Sequence, residues 1–94
     1  MKIKKIILSK KALRDLEKIP LHIILKLQAW TDFVEEEGLM AARKIPGFHD
    51  EPLKGKRQGQ RSIRLNKAYR AIYEINDDEE IHFIEVVEVN KHEY

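Results

Sequence analysis

Between residues 54 and 70 of this sequence stand seven cations, Lys54, Lys56, Arg57, Arg61, Arg64, Lys67 and Arg70, with no acidic residue among them. From Glu74 onward the balance reverses, with eight acidic residues against Lys91. A basic block inside a chain of net charge +2 is the electrostatic footprint of a polyanion site; the competing reading is a solvated sheet edge protected by lysines. Arg64 and Arg70 are placed for chemistry as well as for steering. Alternation sets Arg64 on the face opposite Ile63 and Leu65, and Arg70 on the face opposite Tyr69, Ala71 and Tyr73. A short hairpin through Asn66-Lys67 brings both arginines to one face of neighbouring strands. Two guanidiniums there repel unless something anionic lies between them. A phosphate matches their planar forks; a carboxylate such as Glu74 or Glu85 is the structural alternative. Beyond the last strand, the rings of His92 and Tyr94 can fold over this basic face if that strand neighbours the hairpin.

Other chemistries find little support. His22, His49, His82 and His92 show no paired metal-ligand spacing, and the chain has no cysteine. His22 in an apolar helix and His82 in a strand read as structural or surface residues. Gly55-Lys56 lacks the spacing of a phosphate-binding loop. Glu35-Glu36-Glu37 read as a solvated helix end. No metal and no cofactor are expected.

The elements that must position the arginines follow from periodicity. Residues 2–8 read as a strand. Ser9 is a helix N-cap, followed by Ala12, Leu13, Leu16 and Ile19 at helical spacing. Pro20 ends that helix and opens the next, whose broad apolar face carries Ile23, Ile24, Leu27, Trp30, Phe33 and Val34, widened by Leu21 and Leu25. That surplus of apolar surface fits packing on a sheet, or a protein partner. Gly38 stops the helix, and Leu39–Lys44 form a short helical turn. After the turn-rich stretch 45–52 the period changes to two. Strands are expected around Ile63–Leu65, Tyr69–Ile75 and Ile81–Val89, with turns at Asn66-Lys67 and Asn76-Asp77-Asp78. The result is an α+β domain of order β-α-α-β-β-β, with two N-terminal helices packed on a small antiparallel sheet.

Ninety-four residues suit a single domain, expected over 1–94. The charged fraction of 36% beside 43% hydrophobic residues means a charged surface on a globular core, not disorder. No apolar run reaches the length of a membrane span. The start Met1–Leu8 is too briefly apolar for a signal peptide. Structure close to both termini is expected, as in a small complete protein, and the lack of cysteine suits a cytoplasmic location.

The stretch Gly47-Phe48-His49-Asp50-Glu51-Pro52-Leu53-Lys54-Gly55-Lys56-Arg57-Gln58-Gly59-Gln60-Arg61-Ser62-Ile63-Arg64-Leu65-Asn66, the strand Tyr69-Arg70-Ala71-Ile72-Tyr73-Glu74-Ile75 and the ending Glu88-Val89-Asn90-Lys91-His92-Glu93-Tyr94 resemble the HigB-like branch of the RelE/ParE toxin superfamily. The resemblance implies the RelE-like fold and a toxin of a type II toxin-antitoxin system. It also implies a metal-independent, ribosome-dependent endoribonuclease that cuts messenger RNA and is neutralised by a cognate antitoxin. Matched by position, Arg70 falls on the arginine that supports the scissile phosphate. His49 and Lys54 fall on the histidine and lysine of the pre-strand loop. Arg64 falls on a basic residue of the neighbouring strand, and His92 and Tyr94 on terminal ring residues. Lys56, Arg57, Arg61 and Lys67 are then expected to hold RNA backbone. A gyrase-directed ParE-type toxin and an inactive RNA-binding remnant are the alternatives.

Overall fold

The apolar run between N-terminal lysines becomes strand β1 (Lys5–Leu8) in the computed structural model, which describes residues 3, 5–78 and 81–91. Ser9 then does two things. Its backbone N–H donates to the Val86 carbonyl at 3.0 Å, and its hydroxyl accepts from the Ala12 N–H at 3.0 Å, which caps helix α1 (Lys10–Leu16). Pro20 precedes helix α2 (Leu21–Glu37), which buries Ile23, Leu27, Trp30 and Val34 at the spacing of a single helical stripe. Gly38, at φ 91°, separates α2 from α3 (Leu39–Arg43) in a conformation that suits glycine.

Four more strands follow: β2 (Glu51–Pro52), β3 (Arg61–Arg64), β4 (Tyr69–Asp78) and β5 (Ile81–Lys91). The sheet order is β1-β5-β4-β3-β2. Strands β2 to β5 pair antiparallel, and β1 lies parallel to β5. The α+β fold therefore matches the sequence expectation, with differences of detail that have physical causes. The first strand covers the open edge of β5, and its direction is fixed by the Ser9–Val86 bond that leads it into α1. The run Asn76-Asp77-Asp78, expected as a turn, continues β4 and pairs as far as Asp78↔Ile81. Ladder hydrogen bonds with β5 outweigh the turn preference of Asn and Asp here. A register shift opposite Ile72/Tyr73 inserts one extra residue in β5. For that reason Val86 and Val89, three apart, both reach the core.

The helices cover one face of the sheet. Their buried side chains pack with Phe48, Ile63, Leu65, Ala71, Tyr73, Val86 and Val89 in one apolar cluster. Ile63, Ala71 and Val89 form a continuous row across three strands. Leu21 and Leu25, expected to widen the packed face of α2, are instead exposed. No helix among the described residues is long and apolar enough to cross a membrane.

Trp30 is the largest fully buried side chain, with its ring centroid 5.3 Å from that of Tyr73. Its indole N–H has no partner among the described residues. Replacement by alanine leaves a ring-sized void and should cost about 3–5 kcal/mol of unfolding free energy. Trp30→Phe should cost much less, because it fills most of the void and removes the unpaired donor. Urea denaturation of the two variants checks the ordering; equal losses would contradict it.

Candidate active site

A tight reversal between β3 and β4 sets the site. The Asn66 side-chain carbonyl accepts from the backbone N–H groups of Ala68 at 2.7 Å and Tyr69 at 2.8 Å, and Leu65 N–H donates to the Tyr69 carbonyl at 2.9 Å. This turn fixes the register Ile63↔Ala71 and Arg64↔Arg70. Ile63 and Ala71 go to the core, so Arg64 and Arg70 stand directly opposite each other on the face away from the helices. Among the described residues neither forms an ion pair. Arg70 Nε donates only a long hydrogen bond, 3.4 Å, to the Asn90 side-chain oxygen. Like charges directly opposite in a sheet are destabilising, a cost that an anion between them would offset.

The two arginines border a pocket of about 50 Å³ that is also lined by His49, Glu51, Ser62, Asn66, Lys67 and Tyr69. At roughly 10–15 Å³ per water-sized group, that volume is enough for a small oxyanion. Glu51 pairs with Ser62 across β2 and β3, which puts it on the same sheet face as the arginines. His49 Nε2 lies 3.7 Å from a Glu51 carboxylate oxygen. The pocket thus has two guanidiniums on one side and an imidazole–carboxylate pair on the other. His49 holds φ 47°, the left-handed region, at the end of the 3-10 turn Pro46–Phe48. A non-glycine residue in that region is uncommon and persists where surrounding contacts over-determine it.

Asp50 stands between His49 and Glu51. Its carboxylate is fully buried. It accepts from Arg61 Nε at 2.6 Å and from the Tyr73 hydroxyl at 2.6 Å, and that hydroxyl in turn accepts from Arg43 Nε at 3.4 Å. Arg61 is the cross-strand partner of Tyr73, so both reach the same carboxylate from the core side of the sheet. Burial and donation to Asp50 push the Tyr73 phenol up to about 12, although Arg43 works the other way. Burial opposes the charge on Arg61, but the Asp50 carboxylate more than compensates and its pKa is raised.

The open face of the sheet carries a second network. The segment Leu53–Gln60 closes on itself through the Leu53 N–H to Gln60 carbonyl bond. From it Arg57 pairs with Glu88 on β5 and donates to Gln60 at 2.9 Å. Gln60 reaches Glu74 at 3.1 Å, and Asn90 donates to Glu88 at 3.0 Å. Burial alone would raise the Glu88 carboxyl, but hydrogen bonds from Asn90 and Arg57, with the charges of Arg57 and Lys11, hold it below its ordinary value. Arg70 therefore rests on Asn90, Asn90 on Glu88, and Glu88 on Arg57.

Comparison with known proteins settles the family. The model of the ParE toxin of the type II toxin-antitoxin system parDE matches residues 6–93. The chain belongs to the ParE toxin family. No curated protein matches it in sequence. Among solved structures it is similar to the YoeB/ParE toxin from Agrobacterium tumefaciens, at 21% identity and TM-score 0.66, covering 95% of this chain and 99% of that one. It is also similar to YafQ from E. coli strain BL21(DE3), at 15% identity and TM-score 0.73, covering 95% and 93%. A third is the toxin-antitoxin complex RelBE2 from Mycobacterium tuberculosis, at 22% identity and TM-score 0.66, covering 96% and 99%. At these identities the likeness is one of fold.

In this ParE-family chain the structure brings together four of the residues singled out by sequence: His49, Arg64, Lys67 and Arg70. Lys54 and Lys56 are exposed on the neighbouring loop and do not line the pocket. Arg57 and Arg61, expected on RNA backbone, are engaged in internal ion pairs, with Glu88 and Asp50. His92 and Tyr94 lie outside the described residues, as does the side chain of His82. His22 is exposed on α2. No cluster of metal-ligating side chains occurs among the described residues. Sequence reading missed Glu51 because it sits in a two-residue strand. The signal was its position two residues after His49 in a loop rich in turn formers.

The geometry makes two predictions. A folded Tyr73 keeps its proton to about pH 12, whereas an unfolded tyrosine releases it near 10. Its contribution to stability is therefore intact below about pH 10 and lost as pH rises toward 12. Ultraviolet titration of the three tyrosines should show one phenol ionising only as the chain unfolds, and Tyr73→Phe should remove that late step; a phenol titrating normally in the folded protein would contradict this. Separately, inorganic phosphate should raise the melting temperature of the wild type, and Arg70→Gln should abolish the gain. Without phosphate at low salt, Arg70→Gln should be as stable as wild type or more stable, by up to ~1 kcal/mol. Equal phosphate shifts in both proteins would show that the arginine pair does not bind the anion.

Proposed function

We propose that this ParE-family chain is a ribosome-dependent endoribonuclease that cuts messenger RNA by attack of the 2′-hydroxyl on the adjacent phosphorus. The observation that supports this reading is the Arg64↔Arg70 pair, opposite in register and without an ion pair among the described residues, facing an imidazole–carboxylate pair across an oxyanion-sized pocket. Each component of the reaction has a group suited to it. The scissile phosphate lies between the guanidiniums, whose charge stabilises the phosphorane as it forms. Glu51, or His49 beside it, takes the 2′-hydroxyl proton. The 2′-oxygen–phosphorus bond forms, the bond to the 5′-oxygen breaks, and a protonated group returns a proton to the leaving oxygen. The products are a cyclic phosphate and a 5′-hydroxyl end. His92 is the family-matched candidate for that acid and Tyr94 for stacking on a base. DNA, lacking the 2′-hydroxyl, is not a substrate.

In the same reading Lys54, Lys56 and Lys67 hold RNA backbone around the pocket, while Arg57 and Arg61 brace the loops that carry it. A cognate antitoxin keeps the enzyme inactive in the cytoplasm, most simply by laying an acidic segment over the basic face. The similarity to a chain of a toxin-antitoxin complex supports that partner. The match to the ParE toxin model favours one second reading, a gyrase-directed toxin that shares the fold but leaves messages intact.

Primer extension on a reporter message in a purified translation system separates these. Wild type should produce cuts that require ribosomes. Arg70→Ala should slow cleavage roughly 10²–10³-fold with its circular dichroism unchanged. A folded Arg70→Ala that cuts at the normal rate would refute the mechanism, and intact message at growth-arresting doses would point to gyrase.

A further inference from the structure

His49 and Glu51 stand two residues apart where the chain enters β2, and the residue between them is the most deeply buried carboxylate in any described ion pair. Glu51 faces the pocket through its register with Ser62, His49 lines it from the left-handed end of the 3-10 turn, and the Asp50 carboxylate between them is turned inward. Asp50 has no water to stabilise its charge, so its geometry is dictated by Arg61 Nε and the Tyr73 hydroxyl, each at 2.6 Å. Both anchors are rigid. Arg61 lies on β3 opposite Tyr73 on β4. Tyr73 is itself fully buried against Trp30. Arg43, from α3, closes the network from the helix layer. A buried charge pair is a costly way to gain stability, and its best-attested use is to fix a register. The segment it fixes here includes the left-handed His49.

We propose that Asp50 is a positioning residue: its buried bonds to Arg61 and Tyr73 hold His49 and Glu51 at the distance from the Arg64–Arg70 pair that proton transfer needs. The proposal rests on the nuclease reading and adds a division of labour to it. The phosphate is gripped by side chains of the β3–β4 hairpin. The proton is handled by side chains at the entry to β2. One carboxylate on the opposite side of the sheet sets the gap between the two groups. Loosening Asp50 should therefore slow the chemical step and leave phosphate binding alone, because Arg64 and Arg70 lie at the other end of the hairpin, where the Asn66 turn and Asn90 hold them without Asp50 as a partner.

Asp50→Asn tests this directly, but it strands the Arg61 charge and can unfold the chain. Tyr73→Phe is the second variant; it keeps the ring against Trp30 and removes only the hydroxyl. Single-turnover cleavage on programmed ribosomes gives the rate of the chemical step. Competition by an uncleavable message, 2′-deoxy at the scissile nucleotide, gives affinity, and thermal melting with the emission of the single tryptophan reports the fold. The expected result for folded Tyr73→Phe is a chemical step slowed roughly tenfold or more, with affinity for the 2′-deoxy message unchanged. An unchanged rate overturns the proposal, and so does a parallel loss of rate and affinity, which marks a merely structural role. Either leaves the nuclease reading standing, since wild type cleaves in both. Failure of the wild type itself to cleave overturns the nuclease reading and this inference with it.

Discussion

A slip of one residue between β3 and β4 would carry Arg64 and Arg70 into the apolar layer and turn Ile63 and Ala71 out to water. The register that prevents this is held from both ends. Asn66 closes the hairpin with two side-chain bonds to backbone N–H groups. At the other end Arg61 and Tyr73 meet over the Asp50 carboxylate. Between them the row Ile63–Ala71–Val89 lies under the helices. Burial of one face and charge on the other are thus two readings of one constraint, and the site inherits its precision from the core.

The arginines of the basic block divide by environment and not by sequence. Arg57 and Arg61 each find a carboxylate, Glu88 and Asp50, and their charge serves to tie loops to the sheet. Arg64 and Arg70 face each other without an ion pair among the described residues. Uncompensated like charges on neighbouring strands lower the stability of the free protein. The surrounding apolar layer and the two polar networks offset that cost, as is usual where a fold carries a binding site. A carboxylate in the same pocket, Glu51, stands next to the His49 imidazole.

Most of the fold was legible because each element announces itself locally. Ser9, Pro20 and Gly38 punctuate the helices, and Ile23, Leu27, Trp30 and Val34 repeat at helical spacing. The misreadings arose where a long-range contact overrode a local signal. Asn76-Asp77-Asp78 reads as a turn but is captured by pairing with β5. Leu21 and Leu25 satisfy a helical pattern yet lie beyond the reach of the sheet. Nothing local signals that β1 will lie parallel to β5, because that pairing joins residues nearly eighty positions apart.

By itself the sequence determined the fold class, the hairpin at Asn66-Lys67 and the meeting of Arg64 with Arg70, since alternation and a tight turn settle which side chains share a face within a few residues. Only the tertiary structure decided which arginines of the basic block find a carboxylate and which, among the described residues, do not. It also decided that Asp50 turns inward while His49 and Glu51 turn to the pocket. Those outcomes depend on which groups meet across the sheet and on how much water remains around them, and desolvation and pairing are properties of the packed chain, not of its order of residues.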